Sequence, residues 1–353
     1  MLNSRQNAVI VLNYIRFLIE TYIITMILRC KMSKRNWLYG RNVVVTGCSS
    51  GMGKAVTELL VNKYGCYVLG IARQKPKLDA LKESLNKENP NHFTYRRIDI
   101  TTKEGWESLV ADMEKMNFQP DILINNAGMI QPFGQFSDME PDKIDRIMHT
   151  NLESVIWSCR VMLPVIKKSK FGGIVNVSSA SALLPVGGEG MYSATKCAVR
   201  GLSETLFQEL RGEGIFVTNI MPGPVKTDIY KPREGEVKKV NDSFIENIGI
   251  SSEVAAKRIV KAIRKRKPRV AIDMVAKLMD LGMRMCPRIT MKITASVMRF
   301  AAKKGVQSFY PIFAKQIEEK DNIKAMKKSR KDEIFNHKQE IPAKEFFKDD
   351  IAD

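Results

Sequence analysis

In the stretch MYSATKCAVRG, Tyr192 precedes Lys196 by four residues. Four residues is just over one helical turn, so on a helix the phenol and the ammonium share a face. Two readings of such a pair are open. Either the pair is a solvated surface accident, since exposed tyrosines and lysines are common, or the cation stands beside the phenol to make it an acid at neutral pH. Ser179, thirteen residues upstream, adds a hydroxyl, with Ser178 as its immediate competitor. Few histidines and six scattered cysteines without a CxxC pair argue against a zinc site and a disulfide framework, so no metal is expected.

A second cluster has a different chemistry. TGCSSGMGKA, Thr46 to Ala55, carries glycines at 47, 51 and 53. Where a strand turns into a helix, such glycines let the backbone N–H groups of Gly47, Ser49, Ser50, Gly51, Met52 and Gly53 approach a pyrophosphate. A plain tight turn also needs glycine, so its position after the first strand is what favours a nucleotide. The second strand ends in GIARQK, with Arg73 where an acidic residue would bind ribose hydroxyls. Arg73 is either a surface charge or a fork for a 2′-phosphate. The second reading favours NADPH/NADP+, with NADH as the alternative. Asp99, closing the third strand run, can accept from an adenine amino group.

These residues need a frame. Apolar, β-branched runs lie at 42–47, 66–72, 93–99, 121–128, 172–179, 215–223 and 269–273, separated by segments of helical period. Runs buried on both faces suit a parallel sheet, and their alternation with helices predicts a doubly wound α/β fold of Rossmann type. In such a fold the ligand crevice lies at the carboxyl ends of the strands.

Together these features resemble the short-chain dehydrogenase/reductase family over about residues 38–273. The resemblance rests on Thr46–Gly53, NNAG at 125–128, Asn151 in HTNLES, Ser179, YSATK and PGPVKT at 222–227. It implies a catalytic set of Tyr192, Lys196, Ser179 and Asn151. Tyr192 would exchange a proton with the substrate oxygen while a hydride moves at the carbonyl carbon. A free phenol has a pKa near ~10, and a cation about 4 Å away at an effective dielectric near 20 would lower it by about three units. That places Tyr192 near ~7, where acid–base catalysis is efficient. Lys196 would also hold the nicotinamide ribose, Ser179 the substrate oxygen, and Asn151 a water leading from Lys196 to solvent. Asn125, Ala127, Pro222, Gly223, Val225 and Thr227 complete the implied cofactor set. Thr227 has an N-capping alternative, Asn126 a structural one, and Ser178 a capping role at the strand end. The charged stretch 228–242 is expected to be a substrate lid. A homodimer or homotetramer is implied by analogy.

The net charge of +19 is unevenly distributed. Residues 37–256 are nearly neutral, whereas 257–304 carry 15 Lys/Arg against 2 Asp/Glu. The chain therefore divides into 1–36, a hydrophobic and basic segment; 37–273, the catalytic domain; 274–314, a basic methionine-rich helical extension divided by Pro287; and 315–353, a mixed-charge tail. Residues 8–28 are apolar enough to contribute roughly −5 kcal/mol to membrane insertion, against roughly +5 to +6 for two central charges. A span, an interfacial helix and a working protein starting at Met32 all remain open. No small-residue cleavage site follows, and Arg29, Lys31, Lys34 and Arg35 would keep the domain on the cytoplasmic side of a membrane. A membrane surface is the expected partner of the basic flanks, with helix packing or a second copy as alternatives; nucleic acid is not expected. The overall expectation is a cytoplasmic, membrane-associated oxidoreductase acting on a lipophilic carbonyl or alcohol: a 3-oxo lipid, a steroid or a retinoid. A small-carbonyl reductase and a non-catalytic nucleotide-binding scaffold are the alternatives.

Overall fold

The computed structural model describes residues 37–131, 133–230 and 248–303, with 322, 323, 326 and 329. The apolar stretch 8–28, most of the expected lid and nearly all of the tail lie outside the described residues.

All seven apolar runs become strands of one sheet. They are β1 (Asn42–Thr46), β2 (Tyr67–Ile71), β3 (Phe93–Arg96), β4 (Ile122–Asn125), β5 (Gly173–Val177), β6 (Phe216–Met221) and β9 (Arg269–Ala271). Their order is β3-β2-β1-β4-β5-β6-β9, and every pairing is parallel. Two short strands, β7 (Val225–Lys226) and β8 (Ile250–Ser251), pair outside this sheet. The third strand stops at Arg96, so Asp99 sits in the loop beyond it rather than closing the strand.

Strand alternation sends neighbouring side chains to opposite faces. Val43 and Val45 join one core and Val44 the other. On the first face lie α1 (Gly51–Tyr64), α2 (Lys75–Glu88) and α7 (Ser252–Arg264). On the second lie α3 (Lys103–Lys115), α5 (Ser154–Ile166) and α6 (Gly190–Leu210). Between α3 and α5 the chain forms α4 (Pro141–Met148) and a π-helical turn, His149–Glu153. The strand order reverses between β1 and β4, the place where an open α/β sheet leaves a crevice.

Two further helices follow β9. They are α8 (Met274–Met285) and α9 (Pro287–Lys303), divided at Cys286–Pro287 as the proline predicts. Asp273 caps α8 by accepting from Ala276 N at 2.9 Å. Ala276 and Met279 pack on Ala180, Leu183 and Met221, which brings this helix to the carboxyl ends of β5 and β6.

Candidate active site

The turn after β1 is shaped by two close approaches. Gly47 has φ +68°, a conformation that disfavours a side chain. A Cβ on Gly53 would lie 2.2 Å from the Gly47 carbonyl oxygen, so the helix packs directly on the turn. Ser50, at the N-cap of α1, makes no side-chain capping bond. The N-cap side chain therefore does not occupy the first N–H groups of the helix, an arrangement suited to an anion. A depression of about 350 Å³ beside them is lined by Ser49, Ser50, Gly51, Lys54, Lys77 and Asp228, among other residues. Glu58, which pairs with Lys54 at 3.7 Å, lines it as well; two lysines beside a helix N-terminus fit a phosphate-bearing cofactor. Sequence reasoning missed both, because an exposed lysine carries no signal without its neighbours in space.

Several of the expected cofactor residues have side chains bonded within the protein. The Thr46 hydroxyl accepts from Asn126 N and Ala127 N, each at 3.0 Å. The Asn125 amide donates to Asn176 Oδ1 at 2.9 Å, inside the sheet. These side chains tie β1, β4 and β5 together. Asn126 has the structural duty expected of it, donating to the Thr46 carbonyl at 3.0 Å. Ala127 is half-buried at the open end of β4. Asp99 gives one oxygen, Oδ1, to the Thr101 N–H and hydroxyl, at 2.9 and 2.6 Å. Those bonds and the nearby Arg73 hold its carboxyl below the usual range. Arg73 is exposed, and its carbonyl accepts from Arg97 Nε at 3.0 Å.

On the other side, Pro222 and Gly223 follow β6. The Pro222 carbonyl accepts from Ala180 N at 2.6 Å, and Gly223 N donates to Asp273 Oδ2 at 2.5 Å. Val225 is held in β7. The Thr227 side chain lies over Gly51, 3.0 Å from where a Cβ there would be. The PGPVKT segment thus closes against the glycine-rich turn.

Between these walls stand the four expected catalytic residues. Tyr192 and Lys196 lie on α6, with Ser179 just past β5. Lys196 is 4% exposed, and its Nζ sits 5.8 Å from the Tyr192 ring centroid. Nζ donates to the Val177 carbonyl at 3.1 Å. The Ser179 hydroxyl favours the ionised form of the phenol and donates to Ser181 Oγ at 3.3 Å. Ser178 instead donates to the Lys196 carbonyl at 2.8 Å, the backbone role expected of it. Fully buried Asn151 sits on the π-turn; its amide accepts from Met129 N and donates to Met129 O at 2.8 Å each, and also donates to the Thr195 hydroxyl on α6 at 3.4 Å. Its Oδ1 and Lys196 Nζ lie 3.3 and 3.4 Å from where a Cβ on Gly128 would be. π-turns of this kind often occur at functional sites.

The electrostatics differ from the expectation in one respect. The phenol of Tyr192 is not lowered toward neutrality but raised above its ordinary value. Burial is the largest cause, a carboxylate at Glu189 the next, and the Ser179 hydrogen bond opposes them. The cost of desolvating a buried phenolate is the larger effect. Burial also pushes the Lys196 ammonium down to about 8.

Sequence reasoning also missed Glu189 and Gln131. Glu189 is 7% exposed and accepts from the Ser181 hydroxyl at 2.9 Å. Burial raises its carboxyl to about 7. Buried Gln131 accepts from Tyr192 N at 2.9 Å, fixing the first turn of α6. Neither belongs to a spaced motif; only their burial marks them.

The family model for short chain dehydrogenases matches residues 41–238. The 3-oxoacyl-(acyl-carrier-protein) reductase of Haemophilus influenzae is 30% identical over 226 residues, 64% of this chain and 90% of that one. A very-long-chain 3-oxoacyl-CoA reductase of Homo sapiens is 30% identical over 221 residues, 60% of this chain and 70% of that one. A solved short-chain dehydrogenase from Sphingobium yanoikuyae in complex with NADPH superposes with a TM-score of 0.60 at 26% identity, covering 69% and 93% of the two chains. Another, from Burkholderia phymatum in complex with NAD, gives 0.61 at 22% identity, covering 69% and 92%, and shares the fold. With the glycine-rich turn, the seven-stranded parallel sheet and the Ser179–Tyr192–Lys196 cluster in place, this chain belongs to the short-chain dehydrogenase family of oxidoreductases.

Proposed function

We propose that the protein is an NADPH-preferring oxidoreductase that interconverts a carbonyl and a secondary alcohol on a lipophilic substrate. The observation that carries this reading is the convergence of Ser179, Tyr192 and Lys196 at the carboxyl end of β5, beside an uncapped, glycine-rich helix N-terminus. When bound, a nicotinamide supplies or accepts the hydride. The backbone of Gly47–Gly53, with Lys54 and Lys77, would hold its phosphates, and Ala127, Pro222–Val225 and Thr227 would line its crevice.

Tyr192 delivers a proton to the substrate oxygen as charge develops there, or takes one away in the reverse direction. The Ser179 hydroxyl holds that oxygen. Lys196 places positive charge near the phenolate that forms once the proton has left, and Asn151 fixes the loop at Met129 against α6. Preference for NADPH is supported by Arg73, by the neighbouring guanidinium of Arg97, and by the lack of an acidic residue at the end of β2. A 3-oxo lipid is the first candidate because relatives named as 3-oxoacyl reductases are similar over most of their own length.

The reading is tested by titrating NADPH and NADH, then assaying carbonyls from short ketones to sterols and long-chain 3-oxoacyl-CoA. Tighter NADPH binding with turnover confined to the lipophilic members is the expected result. Arg73→Asp should reverse the cofactor preference. Tyr192→Phe should lower kcat by about 10²-fold or more while cofactor affinity stays within about twofold. Full activity in Tyr192→Phe would exclude the mechanism.

A further inference from the structure

Directly ahead of α6 lies a buried carboxyl group that the chemistry above does not use. Backbone bonds pin Glu189 on both sides: its N–H donates to the Val186 carbonyl at 3.2 Å, and its carbonyl accepts from Ser193 N at 2.8 Å. Its side chain makes no capping bond to α6. Oε2 instead accepts from the Ser181 hydroxyl at 2.9 Å. Ser181 Oγ in turn accepts from the Ser179 hydroxyl at 3.3 Å, and Ser179 Oγ accepts from Ser181 N at 3.1 Å.

Donor supply decides which way this row points. A serine hydroxyl has one hydrogen and two lone pairs, and a carboxylate has no hydrogen to give. With Glu189 ionised, the Ser181 hydrogen is held by Oε2, so Ser181 Oγ only accepts from its neighbour. The Ser179 hydrogen then points at Ser181, and a substrate oxygen meets a lone pair. With Glu189 protonated, its O–H donates to Ser181 Oγ, and the Ser181 hydrogen turns to Ser179. One lone pair of Ser179 already takes the Ser181 N–H and the other takes this hydrogen. The hydrogen of Ser179 itself is then free for the substrate oxygen. Negative charge grows on that oxygen in the shared transition state of both reaction directions, and only a donating Ser179 stabilises it. Resting on the reductase reading, we propose that Glu189 is a positioning residue. Through Ser181, its acid form turns the Ser179 hydroxyl toward the substrate oxygen, and its carboxylate form turns that hydroxyl away. The row reorients and passes no proton to Tyr192.

Burial raises the Glu189 carboxyl to about 7, and the Ser181 hydrogen bond opposes that rise. Both orientations are therefore populated near neutral pH. The elements packed around the row are mostly apolar or have their charges engaged. On α6, besides Tyr192, Lys196 donates to the Val177 carbonyl, and Cys197 lies 3.9 Å from the Ser181 carbonyl. Arg200 donates to the Ala182 carbonyl at 2.8 Å and to Glu204 at 3.1 Å. From α8, Ala276 and Met279 meet the 180–183 turn, while Asp280 pairs with Arg269 and Arg284. From α9, Met298 reaches Gly187, with Arg299 next in the chain. The loop before α4 contributes Gln131 and Phe136, the latter beside Gly190, and its Asp138 accepts from the Ser137 hydroxyl.

Single-turnover oxidation of NADPH by a long-chain 3-oxoacyl-CoA, followed between about pH 6 and 8.5, tests the assignment. The wild-type rate should fall about tenfold or more across this range as the acid form of Glu189 is lost. The amide of Glu189→Gln donates to Ser181 at every pH, and Ser181→Ala leaves Ser179 no side chain to turn to. Each variant should therefore be about tenfold faster than the wild type at pH 8.5, whereas a purely structural role predicts slower variants throughout. Infrared titration of the full chain supplies a readout independent of turnover. A protonated-carboxyl band should disappear with a midpoint near 7 in the wild type, be absent in Glu189→Gln, and shift to higher pH in Ser181→Ala, where the carboxylate loses its donor. Profiles that fall in parallel for all three proteins, variants slower at both ends of the range, or an unmoved infrared midpoint in Ser181→Ala would overturn the positioning role and leave the reductase reading intact. A wild type that reduces no carbonyl at any pH would overturn the reductase reading and this role with it.

Discussion

At the scale of single residues, the site contains two ionisable groups that burial moves toward neutrality from opposite sides. Glu189 is raised from 4.5 to about 7, and Lys196 is lowered from 10.5 to about 8. Between pH 4.5 and 7 the folded chain binds more protons at Glu189 than the unfolded chain does, so stability falls as pH rises through that window. Between pH 8 and 10.5 the folded chain binds fewer at Lys196, so stability rises with pH there. Each shift corresponds to about 3 kcal/mol. Glu189→Gln should therefore flatten the acid-side fall and Lys196→Met the alkaline rise, as read from urea midpoints across pH. Curves parallel to the wild type would show that these groups are not desolvated as the structure places them. Tyr192, Lys196 and Ser179 were legible in the sequence because helical spacing and a fixed interval bring them together. The direction of the phenol's shift was not legible, because desolvation and the Glu189 charge are properties of the folded interior.

At the scale of elements, the seven strands and the break at Pro287 could be read because apolar runs and a missing N–H act locally. What Thr46 and Asn125 do inside the fold was not legible, because it joins separate segments. They lie in motifs beside the crevice, and their side chains are bonded to Asn126, Ala127 and Asn176. Asp273 was passed over because its two roles join segments fifty residues apart. One oxygen caps α8 at Ala276 N and the other holds Gly223 N in the PGPVKT turn. Asp273→Ala should cost about 1 kcal/mol for the cap and about 1–3 kcal/mol for the stranded Gly223 N–H. Urea unfolding should register that loss, and amide exchange should accelerate in α8 and at Gly223. Asp273→Asn, which keeps a carbonyl acceptor, should recover part of it. Unchanged exchange in α8 would mean that packing at Ala276 and Met279 alone seats the helix.

At the scale of the whole molecule, the question is what α8 and α9 face. The pair is anchored by buried Ala276, Met298 and Ala302, yet it leaves Met274, Leu278, Leu281, Met285, Ile289, Met291, Ile293, Val297 and Phe300 exposed. Lys277, Arg284, Arg288, Lys292 and Arg299 are interleaved with them. Among the described residues no helix is long and apolar enough to cross a membrane, so any lipid contact made by this pair would be interfacial. We propose an anionic bilayer surface as that contact, because apolar burial and attraction of basic residues act together there, each basic residue contributing about 1 kcal/mol. The full chain should float with vesicles containing anionic lipid, less with neutral vesicles, and less again as salt is raised. Replacing Leu281, Met285, Ile289, Ile293 and Phe300 with Gln should reduce flotation at least about tenfold, since each removes an apolar side chain from the interface. If flotation persists while a dimer seen by sedimentation dissociates, the face covers a second copy of the chain instead. If neither changes, the apolar face of α8 and α9 is not the contact, and the lipophilic-substrate reading must stand on turnover alone.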